Sequence, residues 1–504
     1  MHGLTRKSGS VYLFAVIFSV LLSILASIKN VLINPDAICY LQSAETMKMG
    51  LSAAMHLCDQ AKWPFYSALI YSLASVTKLS VYYSASILNG IFALISVVTF
   101  IGIIQFLTPS KRILWLAAFV ILLAHQFNSI KIYIVRDHGF WAFYLLSLFF
   151  LLHYFRKPEW RTAIAWNVSL GLAILFRIEG VIFLLFLPLF VWFDVSRTWL
   201  SRFNSYFRLN ILLLFVLAMV AVWVMYHSQQ VFSNVGRMGE VEFQVIHGFD
   251  MVTQHFRNNS VALAQHVLSP YAESEAATAL FLMLISWYIF SVAANISFIY
   301  AVLVVYAWRN KLLIADNRAR LVLWAYVIIN IVITTIFLIE NMFLSKRYLL
   351  ALSLTLMIWV PFALDRLIEL RQKTKWPLVL AVFFIFVSAL SGIVEFGHSK
   401  KYIRQAGDWL AVNTSETTRI YSNDYQVMYY SKHFGNTIFE KAPSYVKLDT
   451  IENGKWKQFD YVVLRFHKNE SQLDDKLVKE IGQTPVQIFT NKRGGQINIY
   501  KIPH

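Results

Sequence analysis

Charge is scarce in this chain of 504 residues: 14% of its residues are charged, against 58% that are hydrophobic. No soluble domain has that balance, so the chain reads as a polytopic membrane protein. Acidic residues are scarcer than basic ones, 28 against 45, for a formal charge of +17. Such a surplus would suit a nucleic-acid partner. The Lys and Arg residues gather in short segments between apolar runs, however, where positive-inside topology accounts for them, and no nucleic acid is expected. Cysteine is almost missing. Cys39 and Cys58 are the whole supply, which leaves room for one intramolecular disulfide or two separate thiols. Asp36-Ala37-Ile38 is not an Asp-x-Asp pair, which removes the simplest argument for a bound divalent cation. His138 and the other scattered histidines have no ligand spacing. Internal repeats and Gly/Pro-broken helices in corresponding halves are lacking too, against what an inverted-repeat transporter would show.

Long apolar runs are what the chain has in abundance. A helix needs about 20 apolar residues to cross about 30 Å of hydrocarbon. About eleven stretches serve as spans on that measure: 11–27, 82–107, 113–127, 139–155, 162–176, 181–193, 211–226, 280–308, 321–339, 348–364 and 376–393. The pair 162–176 and 181–193 is short and suits tilted or partly re-entrant helices. The first run follows Arg6 and Lys7 as the core of a signal peptide would. It is long for one, and no persuasive Ala-x-Ala site comes before Asp36, so it reads as an uncleaved first span. If the spans alternate, Arg6 and Lys7 and the basic clusters in 111–112, 156–161, 197–208, 309–320 and 366–375 fall on one side, which is then cytoplasmic. Asp36, Asp137, Glu179, Glu340 and the C-terminal tail face outward.

Two outer loops, 29–81 and 227–279, are too long for tight connections. From Trp63 to Lys78 the first is aromatic and moderately apolar, as interfacial helices on the outer leaflet would be. A membrane helix over 65–77 is the alternative; it is short and would break the charge rule. Residues 1–394 are thus the transmembrane domain with its outer loops. Past Glu395 hydrophobicity falls, and 395–504 reads as a small extracytoplasmic α/β domain able to bury its own core. Helices are expected over 400–412 and 473–481. Strands are expected over 418–422, 461–466, 486–490 and 497–502, the last two joined by a hairpin at Lys492-Arg493-Gly494-Gly495.

Ionisable groups near membrane depth are costly and so are weighed as functional. Five outward clusters qualify: Asp36; Arg136-Asp137-His138; Arg177 with Glu179; Arg237 with Glu240 and Glu242; and Glu340 with Lys346 and Arg347. Each also has a bland reading. Asp36 after Pro35 could cap a helix, Arg136 and Asp137 could be a local ion pair at a helix start, and Lys346 and Arg347 could be interfacial anchors. Arg177 and Glu179, between two short apolar runs, are harder to dismiss. Around one outward cavity, guanidinium groups would grip phosphate oxygens and stabilise charge growing on a leaving phosphate. Asp36 or Asp137 would take the proton of an attacking hydroxyl or amine. No soluble nucleotide sugar is expected on that face, so a lipid-linked donor fits better. A bond between Cys39 and Cys58 would close a short loop worth about 3 kcal/mol and brace the segment that carries Asp36.

In this arrangement the chain resembles the GT-C superfamily of integral membrane glycosyltransferases, within it the branch of protein O-mannosyltransferases and lipid A aminoarabinose transferases. The resemblance rests on Asp36 with Tyr40 in the first external loop and on Arg136-Asp137-His138-Gly139-Phe140-Trp141 at the start of a span. It rests also on Arg177-Ile178-Glu179-Gly180, on Lys346-Arg347-Tyr348 and on the outward α/β tail. It implies a GT-C-like helical membrane fold and inverting transfer of a sugar from a polyprenyl-phosphate donor to a lipid, glycan or protein acceptor. Asp36, near the acceptor, and Asp137 would be catalytic; Tyr40, Arg136, Arg177, Glu179, Lys346 and Arg347 would bind substrates, the basic ones near the donor phosphate. A divalent cation stays open as a cofactor. Ala37 stands where the mannosyltransferase branch often has Glu, which weighs against a protein acceptor. The expected location is the inner (plasma) membrane of a bacterium, with the N-terminus cytoplasmic. The alternatives from other classes are a transporter or flippase for a lipid-linked or anionic substrate, and a scaffold that displays the tail.

Overall fold

The computed structural model describes residues 8–29, 32–215, 219, 238–313, 315–394, 400–415, 417–432, 454–466 and 470–503. Among these, seven helices are long and apolar enough to cross a membrane: Gly9–Lys29, Val81–Leu107, Asp137–Arg156, Pro270–Ile296, Asn317–Asn341, Lys346–Leu370 and Trp376–Ile393. Lys111–Leu122 and His125–Ile132, bent by 46°, would make an eighth as one broken span. The chain is an integral membrane protein, mostly helical, with a small sheet near its C-terminus.

The remaining apolar runs depart from the expected spans for local reasons. Residues 280–308, expected as one span, are two helices, Ala276–Ile296 and Phe298–Arg309. Ser297 parts them with φ 82°, a left-handed conformation that no right-handed helix continues through. The helix Gly180–Phe186 passes into a 3-10 turn at Leu187–Phe193, where Pro188 has no N–H to give and its ring crowds the preceding turn. Trp160–Phe176 and Phe65–Thr77 are helical but shorter than a full crossing. Most of 211–226, Arg237, and the side chains of Glu240 and Glu242 lie outside the described residues.

The chain forms two compact units, one of Met1–Ala26, Ser86–Ile132 and Arg136–Val394, the other of Ser27–Ala85, Tyr133–Val135 and Glu395–His504. The second thus takes in the first outer loop as well as the tail, whereas the sequence reading groups that loop with 1–394.

In the first unit, helices approach closely and are stitched by polar side chains. A Cβ at Gly139 would run into the Phe176 ring, so glycine lets helix Asp137–Arg156 lie against Trp160–Phe176. Deeper in the bundle, Asn330 donates to the Tyr144 hydroxyl at 2.6 Å, which meets Thr355 at 2.6 Å. Ser147 lies 2.9 Å from the Tyr326 hydroxyl, which accepts from Trp166 at 3.3 Å. Such bonds between helices replace the hydrophobic drive that lipid removes. At the far end of helix Asp137–Arg156 the arginines take another part. Arg156 donates to the Phe106 carbonyl at 3.2 Å, Arg197 to Phe155 at 2.6 Å and Arg208 to Pro158 at 2.8 Å. These are carbonyls at or just past helix C-termini, which have no partner within the helix and carry the negative end of its dipole.

In the second unit, β1 (Ile420–Ser422) runs parallel to β2 (Tyr461–Phe466); β2 pairs antiparallel with β4 (Gln496–Lys501), and β3 (Gln487–Thr490) closes the order β1-β2-β4-β3. Alternation along β2 splits the core. Val463 faces Ile403, Ala406 and Val427 on one side, while Val462 and Leu464 join Leu477 and Ile481 on the other. In the β3–β4 turn the Asn491 side chain accepts from the N–H groups of Arg493 at 2.9 Å and Gly495 at 3.0 Å.

Candidate active site

Asp137 lies in the first turn of its helix, with Arg136 in the N-cap position, and Arg177 ends helix Trp160–Phe176 in an extended conformation. The tight contact allowed by Gly139 brings these two helix ends together. Arg177 Nη1 donates to Asp137 Oδ1. Its other donors fork onto Glu179, Nη2 to Oε1 at 2.6 Å and Nε to Oε2 at 3.4 Å. Tyr348 covers the guanidinium with its ring at 4.2 Å, a cation–π contact. Arg347 Nη1 stands 3.9 Å from Asp137 Oδ2. Asp137 is 4% exposed and Arg177 6%. Burial by itself would raise the Glu179 carboxyl, but the Arg177 guanidinium outweighs it and holds the group down at about 2. Glu179 is therefore an anion at any physiological pH.

Three guanidinium groups thus meet two carboxylates. Arg177 spends three N–H groups on Asp137 and Glu179, so its work is to hold the carboxylates. The surplus positive charge falls to Arg136 and Arg347. Arg136 Nη1 is buried with no hydrogen-bond partner, and a charged donor left so costs at least about 1–3 kcal/mol unless a ligand answers it. A cavity of about 40 Å³ adjoins the cluster, room for about one water. Arg177, Glu179 and Arg347 form its charged wall; Asn330, Thr334 and Phe337 line it along one face of helix Asn317–Asn341.

Lys346, expected with this group, is exposed at the start of its helix, and Glu340 sits on the last turn of Asn317–Asn341. Divalent cations take about six to eight oxygen ligands. Among the described residues no three His, Cys, Asp or Glu side chains converge, so they offer no ready cage for one.

Asp36 and Tyr40 belong to the second unit. The helix there is Pro35–Thr46, with Asn34 at the N-cap position and proline at N1, where its missing N–H costs nothing. Asp36 is therefore not the cap; it is a first-turn residue, half-buried. Asn34 is tied twice to Ile134, its Nδ2 donating to the carbonyl at 3.2 Å and its Oδ1 accepting from the N–H at 2.9 Å. Both backbone groups of Ile33 are held as well, the N–H by the Tyr430 hydroxyl at 2.9 Å and the carbonyl by Gln426 Nε2 at 2.5 Å. Cys39 and Cys58 are joined in a disulfide with Cα atoms 6.1 Å apart. Tyr40, expected at a substrate, is instead a core residue, 3% exposed and edge-on to Tyr66 at 5.2 Å. Cys39→Ser is expected to lower stability by about 2–4 kcal/mol. A melting temperature equal to wild type under non-reducing conditions would mean that the bond braces nothing.

No protein-family model matches the sequence, and no curated protein does. Solved structures do. The aminoarabinose transferase ArnT of Cupriavidus metallidurans, bound to undecaprenyl phosphate, aligns over 96% of this chain and 97% of its own at 14% identity, with a TM-score of 0.56. The same protein in the apo state aligns over 97% and 98% at 14% identity, with a TM-score of 0.54. The archaeal oligosaccharyltransferase AglB of Archaeoglobus fulgidus, in complex with an inhibitory peptide and a dolichol-phosphate, aligns over 93% of this chain and 70% of its own at 12% identity, with a TM-score of 0.56. The chain has the GT-C fold. At these identities the likeness is one of fold, so residue roles in this chain rest on its own geometry.

Sequence reasoning missed the parts of the candidate site that carry no net charge. Tyr348 was visible only as the neighbour of Arg347, yet it stacks on Arg177. Asn330 and Thr334, polar residues four apart inside an apolar run, were the signal for the cavity wall.

Proposed function

We propose that the chain is an inverting glycosyltransferase that moves a sugar from a polyprenyl-phosphate donor to a lipid, glycan or protein acceptor on the outer face of the membrane. The observation that carries this reading is the cluster of buried Asp137 and Arg177 with half-buried Glu179 and Arg347 beside Arg136, with one positive charge in excess, next to an apolar wall in a GT-C fold. Arg136 and Arg347 are the groups we assign to the donor phosphate, with Arg177 and Glu179 positioning them through Asp137. Lys346, exposed at the helix start, is assigned to the approach of the anionic donor. Asp36 is assigned the part of general base toward the acceptor. Asp137, engaged by Arg177 and Arg347, is assigned the part of an anchor. Ala37 favours a lipid or glycan acceptor over a protein. A bacterial inner membrane with the N-terminus inside fits the basic segments.

The test is binding of undecaprenyl phosphate to the full-length protein in lipid nanodiscs, read by native mass spectrometry. Arg347→Ala and Arg136→Ala are each expected to weaken retention about tenfold, the effect of one lost charge-assisted hydrogen bond. Retention equal to wild type in both variants would remove the donor site from this cluster.

A further inference from the structure

The second unit holds a cavity of about 470 Å³ that the transfer cluster does not use. Small-ligand sites occupy about 300–1,000 Å³, so it is of a size to hold one. Tyrosines make up half of its lining, beside Ser27, Ile28, Ile33 and Arg404. Tyr82 and Tyr83 come from the start of helix Val81–Leu107, with rings 5.6 Å apart at 76°; Tyr429 and Tyr430 come from the end of helix Tyr425–Ser431, with rings 5.4 Å apart at 85°. Each pair therefore presents two ring planes nearly at right angles.

This wall is built rather than loose. Tyr430 is fixed by the bond its hydroxyl accepts from Ile33. A Cβ at Gly407 would lie 2.5 Å from Tyr430 Cβ and 2.9 Å from the Val427 carbonyl, so glycine is what lets helix Lys401–Asn413 press against the tyrosine-bearing helix. Burial, with Glu45 and the phenols of Tyr430 and Tyr82 behind it, pushes the Tyr429 hydroxyl up to about 12, so it stays a neutral donor.

The charge balance narrows the ligand. Arg404, the cation of the lining, stands 5.3 Å from the Tyr430 ring and already pairs with Asp408 at 3.5 Å, so it brings no net field for an anion. A purely apolar guest would strip water from phenol hydroxyls and give nothing back. A sugar answers both demands: its C–H faces pack on the electron-rich ring faces while its hydroxyls exchange hydrogen bonds with the phenols. We propose that this cavity is a saccharide-binding subsite, which takes a neutral oligosaccharide. Its use in holding a glycan acceptor rests on the transfer reading; its occupancy does not.

The test is saturation-transfer NMR on the full-length protein in phosphatidylcholine nanodiscs, with maltohexaose, chitohexaose and mannohexaose as probes. At least one hexasaccharide is expected to bind saturably. Tyr83→Ala, at an exposed position that leaves the fold alone, and Tyr429→Ala should each weaken it roughly fivefold or more. Binding should not change when phosphatidylglycerol is added. No saturable binding of any of the three, binding indifferent to both tyrosine variants, or displacement by phosphatidylglycerol would each overturn the proposal. Arg347→Ala protein, tested for donor loss, should bind the hexasaccharide as wild type does, so the two readings fail separately.

Discussion

Asp36→Asn is expected to lower sugar transfer by about 10²–10⁴-fold, the range for loss of a general acid or base, while the melting temperature stays close to wild type. The replacement keeps the shape of the side chain and removes its charge and basicity. Its position predicts little structural loss. A first-turn carboxylate gains about 0.3–1 kcal/mol from the helix dipole, and the cap position belongs to Asn34. What surrounds Asp36 is unusually constrained for a loop. Ile33, Asn34 and Cys39 are each tied down, by two backbone bonds, a reciprocal amide pair and a disulfide. A base held this way meets its acceptor without a search, which is where proximity effects arise. The measurement is the transferred sugar on envelope lipids and glycans in cells that carry the variant in place of wild type, with protein level and melting temperature recorded beside it. Transfer within threefold of wild type would take the base role from Asp36.

The elements legible from sequence were those with a long or regular signal. Runs of apolar residues marked the spans, and β2 lies over 461–466, where alternation and flanking residues put it. Breaks inside runs were not legible when a single residue made them: Ser297 turns left-handed inside an apolar stretch that no composition distinguishes from a continuous span. Helix Tyr425–Ser431 escaped because it has seven residues and one start signal, Asp424, which accepts from the N–H groups of Gln426 at 2.8 Å and Val427 at 3.1 Å. At the candidate site, charges stood out because they are costly among apolar runs. Their pairing did not: Asp137 and Arg177 are 40 residues apart, and nothing in either neighbourhood names the other. The assignment of Arg177 to a phosphate followed from its type, whereas its geometry commits it to two carboxylates.

That commitment makes Arg177→Met the substitution with the largest expected effect on stability. It leaves Asp137, buried, and Glu179, held against it by the same guanidinium, without their shared counter-charge. Breaking a buried ion pair by removing one partner costs about 3–5 kcal/mol. Arg177→Lys should recover little, because a single ammonium cannot fork onto Glu179 and reach Asp137 at once. The triple variant Asp137→Asn, Arg177→Met, Glu179→Gln removes all three charges together and should regain part of the stability, since no carboxylate is then left without a counter-charge, while Arg136 stays unanswered and Arg347 loses the Asp137 charge. It should still transfer no sugar, because Arg136 and Arg347 lose the anchor that sets them. Thermal unfolding in nanodiscs with the envelope assay alongside separates these outcomes. If Arg177→Met melts with wild type, the carboxylates are not held by Arg177; if the triple variant is stable and active, the cluster has no part in transfer.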